Sequence, residues 1–218
     1  MLTRDLISNA LPYLHLDDKV YHALQLMNDN HVAHLPIVDA ELYLGIISEE
    51  QLLHSDDNNS LSQLAYSDGG TSVQANDHFL KAIQVAVQNK LSVVPVVEEK
   101  QILGIVTYND LLKNASDFLS LNEPGGLIVL EMEGKDYSFN EISRIVETND
   151  AQITQLNTFI DSETGIMQVT IRINKLEISD IISTFQRYEY NVKYYFGEEL
   201  YENELRTNYD NLMNYLKI

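Results

Sequence analysis

The chain has 218 residues, 44% of them hydrophobic, and no cysteine. That length carries one to three domains with real cores, and the missing thiols exclude disulfides, thiolate nucleophiles and Cys-based zinc or iron–sulfur sites. Fourteen Lys and Arg against 33 acids give a net charge of −19, which repels nucleic acid and anionic lipid and keeps the protein soluble.

No stretch reaches the roughly 18 apolar residues of a membrane span. Met1–Leu6 lacks the basic-then-apolar layout of a secretion signal, so the cytoplasm is the expected location.

In chain order, the first feature is a repeat. Residues 2–54 laid over 61–113 match without a gap at an offset of 59. Pro36 falls on Pro95, Leu44-Gly45-Ile46 on Leu103-Gly104-Ile105, and Leu52-Leu53 on Leu111-Leu112. Two copies are too few for a solenoid but enough for a pseudo-symmetric pair with clefts along its seam. In copy one, Asp17-Asp18 is a candidate helix cap, and Val20, Ala23, Leu24 and Met27 follow at helical spacing. Two short apolar strands come next, Leu35–Val38 and Leu44–Ile47, and Ser48 caps a closing helix through Leu53. Copy two repeats the order with a helix through Phe79, Ala82, Ile83 and Ala86, strands Val93–Val97 and Ile102–Val106, and a helix capped by Thr107. Extended lead-ins precede each copy's first helix (Leu14–Leu16, Thr71–Val73). Proline cannot donate to a ladder, so the strands holding Pro36 and Pro95 are expected to be edges or to begin there.

The signatures Leu35-Pro36-Ile37-Val38-Asp39 with Gly45-Ile46-Ile47-Ser48, and Val94-Pro95-Val96-Val97-Glu98 with Gly104 through Asp110, resemble the cystathionine-β-synthase (CBS) domain. Tandem pairs of such domains form a Bateman module, and the resemblance covers residues 1–115. It implies adenine-nucleotide binding in clefts between the copies, through a Gly-x-x-Ser/Thr-x-x-Asp stretch whose Asp accepts from both ribose hydroxyls. A carboxylate can take two O–H donors, and a helix start attracts phosphate. Copy two keeps the pattern in Gly104, Thr107 and Asp110, with Val73 and Pro95 completing that site. Copy one has Gly45 and Ser48, but Gln51 in place of the Asp, so its cleft is expected to be the weaker. A basic residue before the Leu-Pro strand serves the phosphates in the family. His34 holds that position and is expected to share the cleft of Asp110, with Lys19 and Lys113 as weaker candidates. The plainer reading is structural: Ser48 and Thr107 cap helices, Asp110 is a first-turn acid favoured by the helix dipole, and His34 packs beside its strand. The scarcity of Lys and Arg favours a mono- or diphosphate, or an uncharged adenosyl group, over ATP.

Asn122-Glu123-Pro124-Gly125-Gly126 breaks the pattern and reads as a linker. Beyond it come a strand (Leu127–Met132), a helix capped by Asn140, strands Ala151–Ile160 and Met167–Ile173 around a Ser162–Gly165 turn, a helix through Ile178, Ile181, Ile182 and Phe185, and a strand Asn191–Phe196. The order βαββαβ is ferredoxin-like. After a CBS pair it is similar to an ACT domain, in an architecture like that of the acetoin-utilisation regulators. The resemblance implies amino-acid binding at the turn after the first strand, here Glu133–Ser138 with Gly134 and Asp136. The family's Asp-x-x-Gly before the first helix is missing. Glu198–Ile218 reads as a helix with an apolar stripe at Leu205, Tyr209, Leu212 and Leu216.

The fold class expected is therefore α+β, with CBS domains at 1–58 and 59–120, an ACT-like domain at 126–197 and a C-terminal helix at 198–218. There is no Gly-x-Ser-x-Gly, P-loop or His-Glu-x-x-His, and His31 and His34, three apart, are a weak metal pair. The expected protein is not an enzyme and requires no cofactor or metal. It is a regulatory homodimer that senses an adenosyl ligand and acts on another protein, or else a scaffold with vestigial clefts.

Overall fold

The periodicity of each copy is realised in a shared order of elements. This computed structural model describes residues 1–8, 10–67 and 70–197. Copy one supplies β1 (Leu14–His15), α1 (Val20–Asp29), β2 (His34–Asp39), β3 (Leu42–Ser48) and α2 (Glu49–Leu53). Copy two supplies α3 (Phe79–Asn89), β4 (Val93–Glu98), β5 (Gln101–Thr107) and α4 (Tyr108–Phe118). The helix expected at 198–218 lies outside the described residues. By its contacts the chain divides into two units, Met1–Ser116 and Asp117–Ile218.

In the first unit the strands form one sheet in the order β1-β2-β3-β5-β4. Its centre is a pseudo-two-fold axis. Leu42 pairs with Gln101, its own counterpart at the 59-residue offset. Tyr43 N–H donates to Lys100 O at 2.8 Å, and the mirror bond, Ile102 N–H to Glu41 O, is 3.0 Å. The residues that run into each extended lead-in, counted from here on as part of it, cross this axis. Ser8 N–H donates to Ile105 O of copy two at 2.8 Å, while Ser67 N–H donates to Ile46 O of copy one at 3.0 Å. Ile46 accordingly packs in copy two's core with Val85, Val94, Val96 and Ile105, against the partly buried Leu6, Ile7 and Leu11. Copy one's other core residues gather Leu14, Val20, Ala23, Met27, Leu35, Ile37 and Ile47.

Two local expectations change. α1 is preceded by Lys19 with no side-chain cap, because Asp18 instead accepts from His15 N–H at 2.7 Å and closes the turn before the helix. Neither proline strand has a free outer side: β2 is flanked by β1, and β4, the last named strand of the sheet, is bridged in parallel by Val73 at Val96. β1 joins one residue past the missing donor, pairing Leu14 with Ile37.

The second unit contains β6 (Gly126–Met132), α5 (Phe139–Glu147), β7 (Ile153–Ile160), β8 (Met167–Ile173), α6 (Ser179–Arg187) and β9 (Asn191–Phe196). Its sheet runs β7-β8-β6-β9, with every pair antiparallel. One sheet face and both helices bury Ile128, Leu130, Val169, Ile171, Ile142, Ile145, Ile181 and Phe185. The cap of α5 is Ser138, which accepts from Glu141 N–H at 3.3 Å, so the helix starts before the expected Asn140. Gly126 is required sterically, since a Cβ there would lie 2.5 Å from Ile178 Cγ2 and 2.9 Å from Lys175 O. Phe185 meets Tyr190 edge-on at 5.6 Å, and the Tyr190 hydroxyl donates to Glu141 Oε2 at 2.9 Å. Burial, then that carboxylate, pushes the phenol up to about 12. Phe185 is fully buried, so Phe185→Ala should destabilise this unit by about 3–5 kcal/mol, read as a lower urea midpoint by circular dichroism.

Candidate functional site

The β2–β3 ladder sets His34 directly opposite Ser48. Ser48 ends β3 and caps α2, accepting from Gln51 N–H at 3.2 Å, while Gln51 Oε1 accepts from Ser48 N–H at 2.9 Å. This is a reciprocal capping box. Copy two shares the cap bond: Asp110 N–H donates to Thr107 Oγ1 at 3.0 Å, and the Thr107 hydroxyl donates to Asp110 Oδ2 at 2.6 Å, as the Ser48 hydroxyl does to Gln51 Oε1 at 3.0 Å. Gln51 thus replaces Asp110's counterpart without loss of the cap, because a cap at this position needs an acceptor rather than a charge.

His34, Ser48 and Gln51 line a cavity of about 240 Å³ whose opposite wall belongs to copy two, through Ser67, Thr71 and Asn89. The crossed lead-ins make this wall. Gly45 permits the crossing, since a Cβ there would fall 2.6 Å from Tyr66 Cδ2 and 2.7 Å from Ser67 O. Thr71, almost fully buried, shares a 2.8 Å hydrogen bond with the Tyr43 hydroxyl. Asn89 Nδ2 donates to Val85 O at 3.0 Å and to Gly70 O at 3.3 Å. Among the described residues, the cavity lining holds six polar side chains and no carboxylate.

The expectation that His34 shares a cleft with Asp110 is corrected. His34 is placed with Ser48 and Gln51, because β2 pairs within its own hairpin and carries His34 to its own copy's helix start. The corresponding neighbour of Thr107 across the β4–β5 ladder is Val93. Gly104 and Pro95 are buried within that hairpin, and Val73 N–H donates to Pro95 O at 3.0 Å. Val73 also borders a wider hollow of about 780 Å³ with Gln74, Lys81 and Lys100. Thr71, Ser67 and Asn89 were not among the sequence candidates. Their signal was available only through the lead-in exchange, which a linear repeat does not display.

His34 Nδ1 receives Ser92 N–H at 3.2 Å and lies 3.2 Å from Ser92 Oγ, which itself accepts from Ala33 N–H at 3.0 Å. Ala33 and Ser92 are counterparts across the axis. Burial holds the imidazole below its ordinary value of 6.5, and an Nδ1 that already accepts a hydrogen bond agrees with the neutral ring. Among the described residues, every buried side-chain nitrogen and oxygen has a partner, and no group of three or more His, Asp or Glu is placed to hold a metal.

In the second unit, Gly134 and Asp136 stand exposed on a short turn. A Cβ on Gly134 would meet only Met167 Cε, at 3.9 Å, so the turn does not demand glycine. A cavity of about 330 Å³ lies beside this turn, lined by Glu131, Glu133, Asp161, Gln168 and Lys193 among others; neither Gly134 nor Asp136 borders it.

Two predictions follow from this geometry. Gly45→Ala should push the Ser67 segment off β3 and cost about 1–3 kcal/mol, seen as lost amide-exchange protection at Ile46 and Ser67. His34 titrates below its unfolded value, so the unfolded chain takes the proton first. The stability that neutral His34 contributes is complete well above 6.5 and falls as pH drops through 6.5 toward the lower folded value. The melting-temperature advantage of wild type over His34→Val should therefore shrink between about pH 8 and pH 5.5; a constant difference would refute it.

Comparison with known proteins places these observations. A Bacillus subtilis (strain 168) protein, YlbB, is 28% identical over 115 residues, which are 50% of this chain and 78% of that one. A Thermotoga maritima CBS domain pair/ACT domain protein superposes with a TM-score of 0.51 at 21% identity, over 55% of this chain and 99% of that one, a likeness of fold. A Vibrio cholerae protein ascribed to acetoin utilization (AcuB) gives 0.49 at 25% identity, over 56% and 95%. The family model described as the CBS domain matches residues 3–57 and again 71–117. With the same fold repeated about a pseudo-two-fold axis, the N-terminal unit is a tandem pair of CBS domains.

Proposed function

We propose that this protein is a non-catalytic, ligand-sensing regulator whose CBS pair binds an adenosyl ligand of the AMP or ADP kind between its two copies. The observation that carries this reading is the cavity walled by both copies, with His34, Ser48 and Gln51 facing Thr71 and Asn89. The hydroxyl, amide and imidazole groups of its described lining suit a ribose and a phosphate. At about 240 Å³ it falls below the roughly 300–1,000 Å³ of most small-molecule sites, which favours a mononucleotide over NAD. The mirror position keeps the Asp110 carboxylate for ribose hydroxyls, so each cleft is a site in this reading. A ligand that touches both copies shifts their packing by its difference in affinity for the two arrangements. The C-terminal unit belongs to the same reading as an ACT-like domain, supported by its element and strand order. So do a homodimer, a cytoplasmic location and a regulated protein partner.

One observation favours the second reading, a scaffold with vestigial clefts. Thr107 and Asp110, Ser48 and Gln51, and His34 and Ser92 already satisfy one another. Thermal unfolding with AMP, ADP, ATP, S-adenosylmethionine and NAD separates the two. A ligand at 100 times its dissociation constant adds about 2.7 kcal/mol, and each kcal/mol raises the melting point by roughly 2–4 °C. The sensor predicts a shift in wild type that is lost in Asp110→Ala or in Gln51→Ala, whichever lines the occupied cleft. No shift with any of the five supports the scaffold.

A further inference from the structure

His34 has one ring nitrogen committed to the protein and one that is not. Nδ1 faces Ser92, whose N–H and whose Oγ each lie 3.2 Å from it. A backbone N–H can only donate, so Nδ1 accepts and the proton of the neutral ring sits on Nε2. Among the described residues Nε2 has no hydrogen-bond partner, while every buried side-chain nitrogen and oxygen has one. Nε2 is therefore reached by solvent, and it opens on the cavity that His34 lines.

Ser92 can serve this ring in both of its charge states. With Nδ1 bare, Ser92 N–H donates to it. With Nδ1 protonated, the ring becomes the donor and Ser92 Oγ the acceptor. That oxygen has two lone pairs and gives one of them to Ala33 N–H at 3.0 Å. The exchange leaves Ser92 N–H without its acceptor. This loss joins burial in keeping the ring neutral in the free protein.

Among the described lining residues, His34 is the sole group able to carry positive charge. Of the titratable groups on the segments packed about the ring, His31 precedes β2, Glu49 and Glu50 open α2, Tyr66 precedes Ser67, Lys90 follows α3 and Tyr108 opens α4. None of these borders the cavity, and burial is the one influence that displaces the imidazole. Asp68, next to Ser67, lies outside the described residues.

We propose that the copy-one cleft takes up a phosphate-bearing ligand together with a proton from solvent, held by His34 with Nδ1–H donating to Ser92 Oγ and Nε2–H donating to the phosphate. An anion against Nε2 stabilises the charged ring, so the cleft selects the phosphorylated ligand more strongly as pH falls. Ser92 is a positioning residue in this device. The copy-two cleft has Val93 at the matching ladder position and lacks the coupling. The proposal rests on the adenosyl-ligand reading above and adds its regulation by protons.

The test is calorimetric titration of the full chain with AMP and with adenosine between about pH 5.5 and pH 8.5, in buffers of different ionisation enthalpy so that proton uptake is counted. Wild type, His34→Gln and Ser92→Ala are compared. AMP should bind wild type with proton uptake, and its affinity should fall as pH rises, by at most about tenfold per unit. Adenosine, without a phosphate, should show neither effect, a comparison that needs no variant to fold. A phosphate monoester itself titrates at about 6, and His34→Gln measures that part; the excess in wild type belongs to His34. Ser92→Ala keeps the N–H but loses the Oγ acceptor, so most of that excess should disappear. Equal uptake in wild type and His34→Gln, or equal uptake for AMP and adenosine, overturns the proposal and leaves the adenosyl reading standing. Binding of neither ligand at any pH overturns the adenosyl reading and the proton coupling with it.

Discussion

The first unit depends on one ladder position, where Leu42 and Gln101 meet across the pseudo-two-fold axis. Each copy supplies a two-stranded hairpin, which by itself is marginal in water. Joining β3 to β5 turns two hairpins into one sheet, and the paired bonds Tyr43–Lys100 and Ile102–Glu41 fix the register of that join. Once the register is set, the lead-ins have one place to go. Ser8 reaches β5 and Ser67 reaches β3, each closing the other copy's core. The cavity beside His34 follows, because a lead-in arriving from copy two becomes the wall opposite a helix start in copy one.

Duplication explains why the clefts differ while the scaffold does not. A Ser or Thr ending a strand with an acceptor three residues on caps the next helix whether that acceptor is Gln51 or Asp110. The cap constrains hydrogen-bonding capacity but leaves charge free. In copy one the cap acceptor, Gln51, is neutral, and burial favours the uncharged form of the His34 ring beside it. Val93 at the matching ladder position has no such contact to offer.

Much of this was legible in the sequence. The offset of 59 fixed the element order, since helical and strand periods recur in register through Val20–Met27 and Phe79–Ala86, Leu35–Val38 and Val93–Val97. Period-two alternation in Val169, Ile171 and Ile173 marked the buried face of β8. What was not legible depends on contacts between distant residues. Asp18 looked like a helix cap, but its side chain is claimed by His15 N–H. His34 was assigned to the Asp110 cleft because position along the chain does not reveal which copy's helix start a strand faces. Thr71 and Asn89 join the site only because a lead-in crosses the axis, and no local pattern encodes that crossing.

The exchange of lead-ins separates the unit of sequence from the unit of folding. A cut between the two repeats leaves each fragment with a complete set of strands and helices, yet each would carry the segment that seals its sibling's core. Ser8 would depart from Ile105, and Ser67 from Ile46. The fragments are therefore better regarded as complementary halves than as domains, able to re-form one sheet only by finding each other. Any partner that pulls one lead-in from its groove would loosen the core of the opposite copy, so strain applied at one end of the pair is delivered to the other.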